Sequence, residues 1–435
     1  MTHSMPAEPV SALHILMVAP TSFFADYGCH VRILEEARVL QALGHRVTIV
    51  TYAQGRDMAD VTLRRTAPLP WHANYEVGSS RHKFAFDAYL APLVLRAARA
   101  LRPDVIHGHL HEGALLGWPA ARMLGVPLIF DYQGSMTAEM LDHGFIQPDG
   151  AAHRVALWGE DRINRLADAV ITSSTRAAEQ YMAATAGRVA WAVPDVVNPH
   201  VFHPATLTAD ERRAQRAALG IPPDAEVVVY LGLLAPYQGT DHLLRAAARV
   251  CAARPAAHFL VMGYPNVERY HALADSLGLA GRIVFTGRVP YEDAPRRLAL
   301  GDVAVAPKLS ATEGAGKLLN YMAMGLPTVA FDTEVSREYM GAAGLYAVPG
   351  DDDDLADRVA AILSDPDRAV VGRRLRAHVT RAFPWQGMGQ ALLDVYEEAR
   401  ARPTGYRPAP APAAELRPAR EEPSSPAVSA AGKRG

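Results

Sequence analysis

The sequence predicts an α/β protein of two doubly wound, Rossmann-like parallel-sheet domains facing one another across a cleft. Three observations lead there. At 435 residues the chain exceeds one ordinary core and suits two domains of about 190 residues each, plus tails. Short apolar runs alternate with helix-period runs almost throughout, the pattern of right-handed crossover units in a parallel sheet. The series breaks once, at the proline- and turn-rich stretch VVNPHVFHPATL (196–207), and then restarts.

The first series opens with HILMVAP, followed by a helix from Gly28 to Leu43 and the strand runs RVTIVTY, DVIHGHL, PLIFDY, DAVITSS and VAWAVP. Helical segments such as EGALLGWPAARMLG separate them. The second series reads EVVVYLGLL, HFLVMG, RIVFTG, DVAVAP, LPTVAFD and GLYAVP. Each run ends in small or turn-forming residues, which is where doubly wound folds bind ligands. The expected division is 1–197 for an acceptor-side domain, 198–383 for a second domain, 384–402 for a helix crossing back to the first, and 403–435 for a disordered tail. That tail is rich in proline and alanine and has almost no large apolar residue with which to order itself.

Composition narrows the function. The 44 Lys and Arg nearly cancel the 46 Asp and Glu, so no bulk field draws the chain to nucleic acid, and any anion site is local. Cys29 and Cys251 fall in different expected domains, which suits a reducing cytoplasm better than a disulfide framework. The start, MTHSMPAEPVSA, has no charged region leading into an apolar stretch. The most apolar helix, FAFDAYLAPLVLRAARALRP, is interrupted by Asp87, Pro92, Arg96 and Arg99 before about 20 apolar residues accumulate. With Lys83, Arg96, Arg99 and Arg102 beside its apolar face it suits either peripheral contact with the inner face of an anionic membrane or plain packing on a sheet.

The stretch LSATEGAGKLLNYMAMGLPTVAFD (309–332) puts two glycines and a lysine in front of a helix-like run. Such a turn suits an anion, which meets crowded N–H groups at a helix N-terminus together with a full positive charge. The same glycines equally suit a simple strand-to-helix turn. The loop is not a nucleoside triphosphate P-loop, because Ala311 replaces its first glycine and Leu318 its Ser or Thr.

Four segments in this order, DYGCHVRILEEARVLQALGHRVTIVT, RPDVIHGHLH, YLGLLAPYQGTDHLLRAA and TEGAGKLLNYMAMGLPTVAF, resemble the retaining glycosyltransferases of the GT-B fold, family 4. The likeness runs from His14 to about Ala401. It implies a metal-independent enzyme with no cofactor beyond its nucleotide diphosphate-sugar substrate, and a glycan or lipid-linked acceptor. It also implies that Gly28 approaches the donor pyrophosphate, that Glu313 meets the sugar hydroxyls, and that the base sits near Val289. The family's second acidic residue falls on Asn320, one position early, and its diphosphate-binding arginine and lysine are replaced by Leu233 and Gln238. Lys317 is the expected replacement cation, supported by the N–H groups of Gly314, Ala315 and Gly316, and Leu318, Gly232 and Gln238 are expected to bind the donor beside them. The usual histidine near the transferring sugar is Gln133, which binds a hydroxyl but cannot act as acid or base.

The expected catalytic set is therefore Lys317, Glu313 and Gln133, with His109 and Glu139 on the acceptor side and no metal ligands. His107, His109 and His111 would share one face of an extended strand, but no carboxylate is apparent beside them. Asp351 to Asp354 read as favourable charges in a helix first turn. Two other functions fit the same residues: a sugar-nucleotide epimerase, which would convert donor without an acceptor, and a non-catalytic nucleotide-sugar-binding protein, which would release no nucleotide.

Overall fold

The structure, a computed structural model, describes residues 12–26, 28–69, 82–142, 144–309 and 314–402. In chain order the first part contains β1 (His14–Ala19), α1 (Gly28–Ala42), β2 (Arg46–Thr51), β3 (Thr62–Arg65), α2 (Lys83–Leu101), β4 (Val105–His109), α3 (Leu110–Leu124), β5 (Leu128–Tyr132), α4 (Met136–Asp142), α5 (Ala151–Ile163), β6 (Ala169–Thr172), α6 (Thr175–Ala184) and β7 (Trp191–Ala192). The second contains α7 (Ala209–Ala218), β8 (Glu226–Leu231), α8 (Thr240–Ala253), β9 (Ala257–Met262), α9 (Val267–Ser276), β10 (Ile283–Gly287), α10 (Ala294–Leu298), β11 (Val303–Ala306), α11 (Gly316–Ala323), β12 (Thr328–Phe331), α12 (Glu334–Met340), β13 (Leu345–Ala347), α13 (Asp352–Ser364), α14 (Arg368–Ala382) and α15 (Trp385–Ala401).

All pairings between these strands are parallel. The sheets run in the orders β3-β2-β1-β4-β5-β6-β7 and β10-β9-β8-β11-β12-β13. Each therefore reverses its winding at one place, between β1 and β4 and between β8 and β11. Crevices open at such switch points beyond the strand carboxyl ends. The central strands are covered on both faces, which is why they read as continuous apolar runs: every residue of β1, β4, β5 and β9 is buried. At the first switch point β4 passes straight into α3, and only glycine permits so close an approach, since a methyl group on Gly108 would lie 2.5 Å from the Gly113 carbonyl carbon. The helix α15 returns from the second series to pack on α1 and β5.

Several expectations change. The edge strand β3, sequence TLRR, has no apolar alternation and was not anticipated. His111 is not on the β4 strand with His107 and His109; it sits in the first turn of α3 against Phe130 and Tyr132. The apolar face of α2 is consumed by the sheet through Phe86, Leu90, Val94, Ala97 and Ala98, and Lys83 turns inward to Glu112 at 2.6 Å. Asp351 caps α13 by accepting from the N–H groups of Asp353 and Asp354.

Candidate active site

A cavity of about 290 Å³ lies where the two switch points face one another. The first sheet contributes Gly28, Arg32, Lys83, His111, Gln133 and Glu139, and the second contributes Gly232, Leu233, Gln238, Val289, Lys308, Gly314, Ala315, Gly316, Lys317 and Asn320. Ion pairs hold the two walls together. Asp26, almost wholly buried, accepts from Arg56 at 2.6 Å, from Arg288 at 2.7 Å and from the Tyr291 N–H at 2.9 Å. Arg56 reaches Glu292 at 2.7 Å, and Tyr264 donates its hydroxyl to the Ala25 carbonyl.

Lys317, in the first turn of α11, points its amine at the loop after β8. The Nζ donates to Gln238 Oε1 at 2.9 Å and to the Tyr230 hydroxyl at 3.2 Å, and lies 4.4 Å from the centre of the Tyr230 ring. Gly232 leaves it room, because a methyl group there would come within 2.5 Å of Nζ. The amine therefore stands beside the loop that carries Leu233 and Gln238, and Gln238 serves as its support. A second cation, Lys308 just past β11, is buried at the same wall and donates to the Gly314 carbonyl at 2.8 Å. Sequence reasoning missed Lys308, although a lysine directly after a strand at a switch point was a readable signal.

The glycine loop is also approached from the first domain. Asp195 lies so close that a methyl group on Gly314 would sit 2.7 Å from its Oδ2 and would have to displace that carboxylate. Its carboxylate is held by Arg32 Nη1 at 3.0 Å and the Tyr339 hydroxyl at 3.2 Å. Arg32 also grips Asp131, with Nη2 to Oδ1 at 2.9 Å and Nε at 3.0 Å from Oδ2. Burial alone would raise Asp131, but Arg32 and His109 outweigh it and hold the carboxyl well below the usual range. Gln133 Nε2 donates to the same carboxylate at 2.6 Å, which fixes its amide at the cavity wall.

His109, expected on the acceptor side, is instead fully buried beneath the cavity. Its Nδ1 is 3.0 Å from Asp131, and its ring stacks on His107 at 4.4 Å. Burial lowers its pKa below the usual histidine value. The histidine on the cavity wall is His111. The carboxylates that seemed missing beside the histidines are Glu36 and Asp131, and the four residues place ligand atoms within 4.8 Å of one another. Arg32, 2.9 Å from Asp131 and 3.2 Å from Glu36, already supplies a positive charge inside this group. Even so, burial pushes Glu36 well above the usual carboxylate range.

Leu318 does not reach the cavity: its side chain is in the core, and its N–H donates to the Ala315 carbonyl at 2.8 Å. Glu313 lies outside the described residues. Gly28, Gln133, Glu139, Gly232, Gln238, Val289, Gly314, Ala315, Gly316, Lys317 and Asn320 all meet at the one cavity.

Comparison with known proteins agrees with this architecture. Residues 27–193 match the glycosyl transferase 4-like domain, and residues 211–378 match glycosyl transferases group 1. A D-inositol 3-phosphate glycosyltransferase of Catenulispora acidiphila is 30% identical over 404 residues, covering 85% of this chain and 89% of the relative. The corresponding enzyme of Thermobispora bispora is 28% identical over 398 residues, covering 86% and 90%. Among solved structures, a sucrose-phosphate synthase of Thermosynechococcus elongatus superposes with TM-score 0.74 at 20% identity over 89% of this chain and 99% of that one. The Anabaena protein HepE, in complex with UDP-glucose, gives 0.71 at 17% over 89% and 100%. The chain belongs to the glycosyltransferases of the GT-B fold, of the family 4 type.

Proposed function

We propose that the cavity takes a nucleotide diphosphate-sugar, grips its diphosphate with Lys317 and Lys308, and transfers the sugar to an acceptor hydroxyl with retention at the anomeric carbon. The observation that carries this reading is the Lys317 amine, placed at the second switch point by Gln238 and Tyr230 where two expected basic residues are absent. The relatives named for inositol 3-phosphate and the neighbour in complex with UDP-glucose support a hexosyl donor and a sugar-like or polyol acceptor.

The chemistry follows from charge. As the bond to the sugar breaks, negative charge builds on the departing phosphate while the sugar becomes oxocarbenium-like. Cations already in place stabilise that state without reorganising. Lys317 and Lys308 do this at the second domain. Val289 offers an apolar flank for the base, and Asn320 reaches toward the ribose. Gln133, fixed by Asp131, holds a sugar hydroxyl but moves no proton. The acceptor hydroxyl enters beside His111 and Glu139, aligned on the face of the leaving group, whose oxygen takes the proton. No step calls for a metal or a further cofactor.

The test is a panel of nucleotide diphosphate-sugars read by thermal shift and then by transfer. A donor at 100 times its Kd adds about 2.7 kcal/mol of stability. Transfer from that donor to an added polyol or glycan, with the product's anomeric proton keeping the donor's configuration by NMR, is the expected result. Epimerised donor without acceptor, or binding without nucleotide release, would overturn it.

A further inference from the structure

The outer face of α5 is built the wrong way round for a helix that only supports a core. Among its thirteen residues the single buried one is a charged side chain, Glu160, while Val155, Leu157 and Trp158 are 67%, 48% and 62% exposed. The neighbouring helix α3, which packs on α5, adds Leu115 and Trp118, at 47% and 39% exposure. Lone exposed apolar residues are ordinary, but large ones gathered on adjacent helices mark a surface that meets something.

The charges on this face say what. Arg154, Arg162 and the following Arg165 are exposed, against two acids, the exposed Asp149 just before the helix and the half-buried Asp161. Arg165 pairs with Asp161 at 2.6 Å, and Arg154 sits beside Asp149, donating to its carbonyl at 3.2 Å, which leaves Arg162 in surplus. The Arg162 guanidinium lies over the Trp158 ring at 5.2 Å. Tryptophan with apolar neighbours and a fringe of arginine is the composition of a surface that settles into the headgroup region of an anionic bilayer. A second copy of the chain suits it less, since a two-fold contact through α5 would bring the surplus arginines of both copies together.

We propose that α5, with Leu115 and Trp118 of α3, docks this protein on anionic lipid. The seat is mechanically tied to the cavity. The inward Glu160 accepts from the Thr137 N–H at 2.8 Å and the Ser135 hydroxyl at 3.0 Å, and it faces His111 Nε2 at 3.6 Å. Ser135 and His111 line the cavity, so a docked α5 holds the acceptor-side mouth against the membrane surface. This role belongs to α5 rather than α2, whose apolar face is already covered by the sheet.

The test is co-sedimentation of the full chain with vesicles of phosphatidylcholine, alone or mixed with phosphatidylglycerol. Binding is read directly, so it stands or falls independently of which sugar is transferred. Wild type should bind the mixed vesicles and release them at high salt. Val155→Ser with Trp158→Ser should weaken binding at least about tenfold, and Arg154→Glu with Arg162→Glu should abolish it. These are surface positions, and an unchanged thermal midpoint checks the fold. No binding by wild type, or equal binding by either double variant, overturns the proposal. So does a dimer in light scattering that Trp158→Ser dissociates while vesicles bind nothing.

Discussion

Replacing Lys317 by alanine removes a cation while leaving the wall around it standing. In the resting fold the amine makes two hydrogen bonds, at 2.9 and 3.2 Å, and a contact 4.4 Å above the Tyr230 ring. Interactions of this kind at a partly exposed site are each worth about 1 kcal/mol or less, so the variant should stay folded with a modestly lower midpoint. The loss in the transition state is larger, because the charge it faces exists fully only as the phosphate departs. Removing one aimed donor typically costs about 3 kcal/mol, which is roughly 100-fold in turnover. Lys308 remains and accounts for residual activity. The assay is single-turnover release of nucleoside diphosphate at saturating donor and acceptor, with thermal unfolding alongside. Normal turnover in a folded Lys317→Ala protein refutes the assigned role.

Gly232→Ala should imitate that variant from the other side. Its methyl group would fall 2.5 Å from the Lys317 amine and push a flexible side chain away, lowering turnover roughly tenfold to 100-fold, and the φ of +156° at this position should lower the thermal midpoint as well. Asp87, hydrogen-bonded to the Tyr52 hydroxyl at 2.6 Å, is pushed up to about 7 by burial and by Glu112. A carboxylate raised in the native state binds a proton that the unfolded chain has already lost. Stability should therefore fall as pH rises from about 4 to 7, by up to about 4 kcal/mol, and Asp87→Asn should flatten that slope in urea midpoints. Burial, and next the charge of Asp131, push the Cys29 thiol up at the cavity wall, so iodoacetamide should alkylate it far more slowly than a free thiol at pH 8. Bound nucleotide should slow the reaction further; rapid labelling would contradict the placement.

The doubly wound architecture was legible because parallel strands buried on both faces must be apolar throughout, as in HILMVA and HFLVM. Edge strand β3 escaped notice for the opposite reason: half solvated and rich in arginine, TLRR carries no apolar run. At the site, backbone-determined features read well. Gly28, Gly232 and the 314–317 loop follow strand ends in sequence and so fall at the switch points in space. Residues whose position depends on distant partners did not. Arg32, Asp131 and Asp195 lie 99 and 163 residues apart along the chain, and no local pattern announces their network. Without it, His109 looked like a cleft residue instead of a buried support for Asp131. Leu318 was misplaced by one step of helix phase, since in α11 Lys317 and Asn320 meet the cavity while Leu318 faces the core.

The most direct test is a crystal structure with a nucleoside diphosphate bound. The diphosphate should lie in the interdomain cavity, with phosphate oxygens about 3 Å from the amines of Lys317 and Lys308 and the base beside Val289. A nucleotide bound elsewhere, or a Lys317 amine that stays on Tyr230 and Gln238 with no phosphate in reach, would contradict that placement.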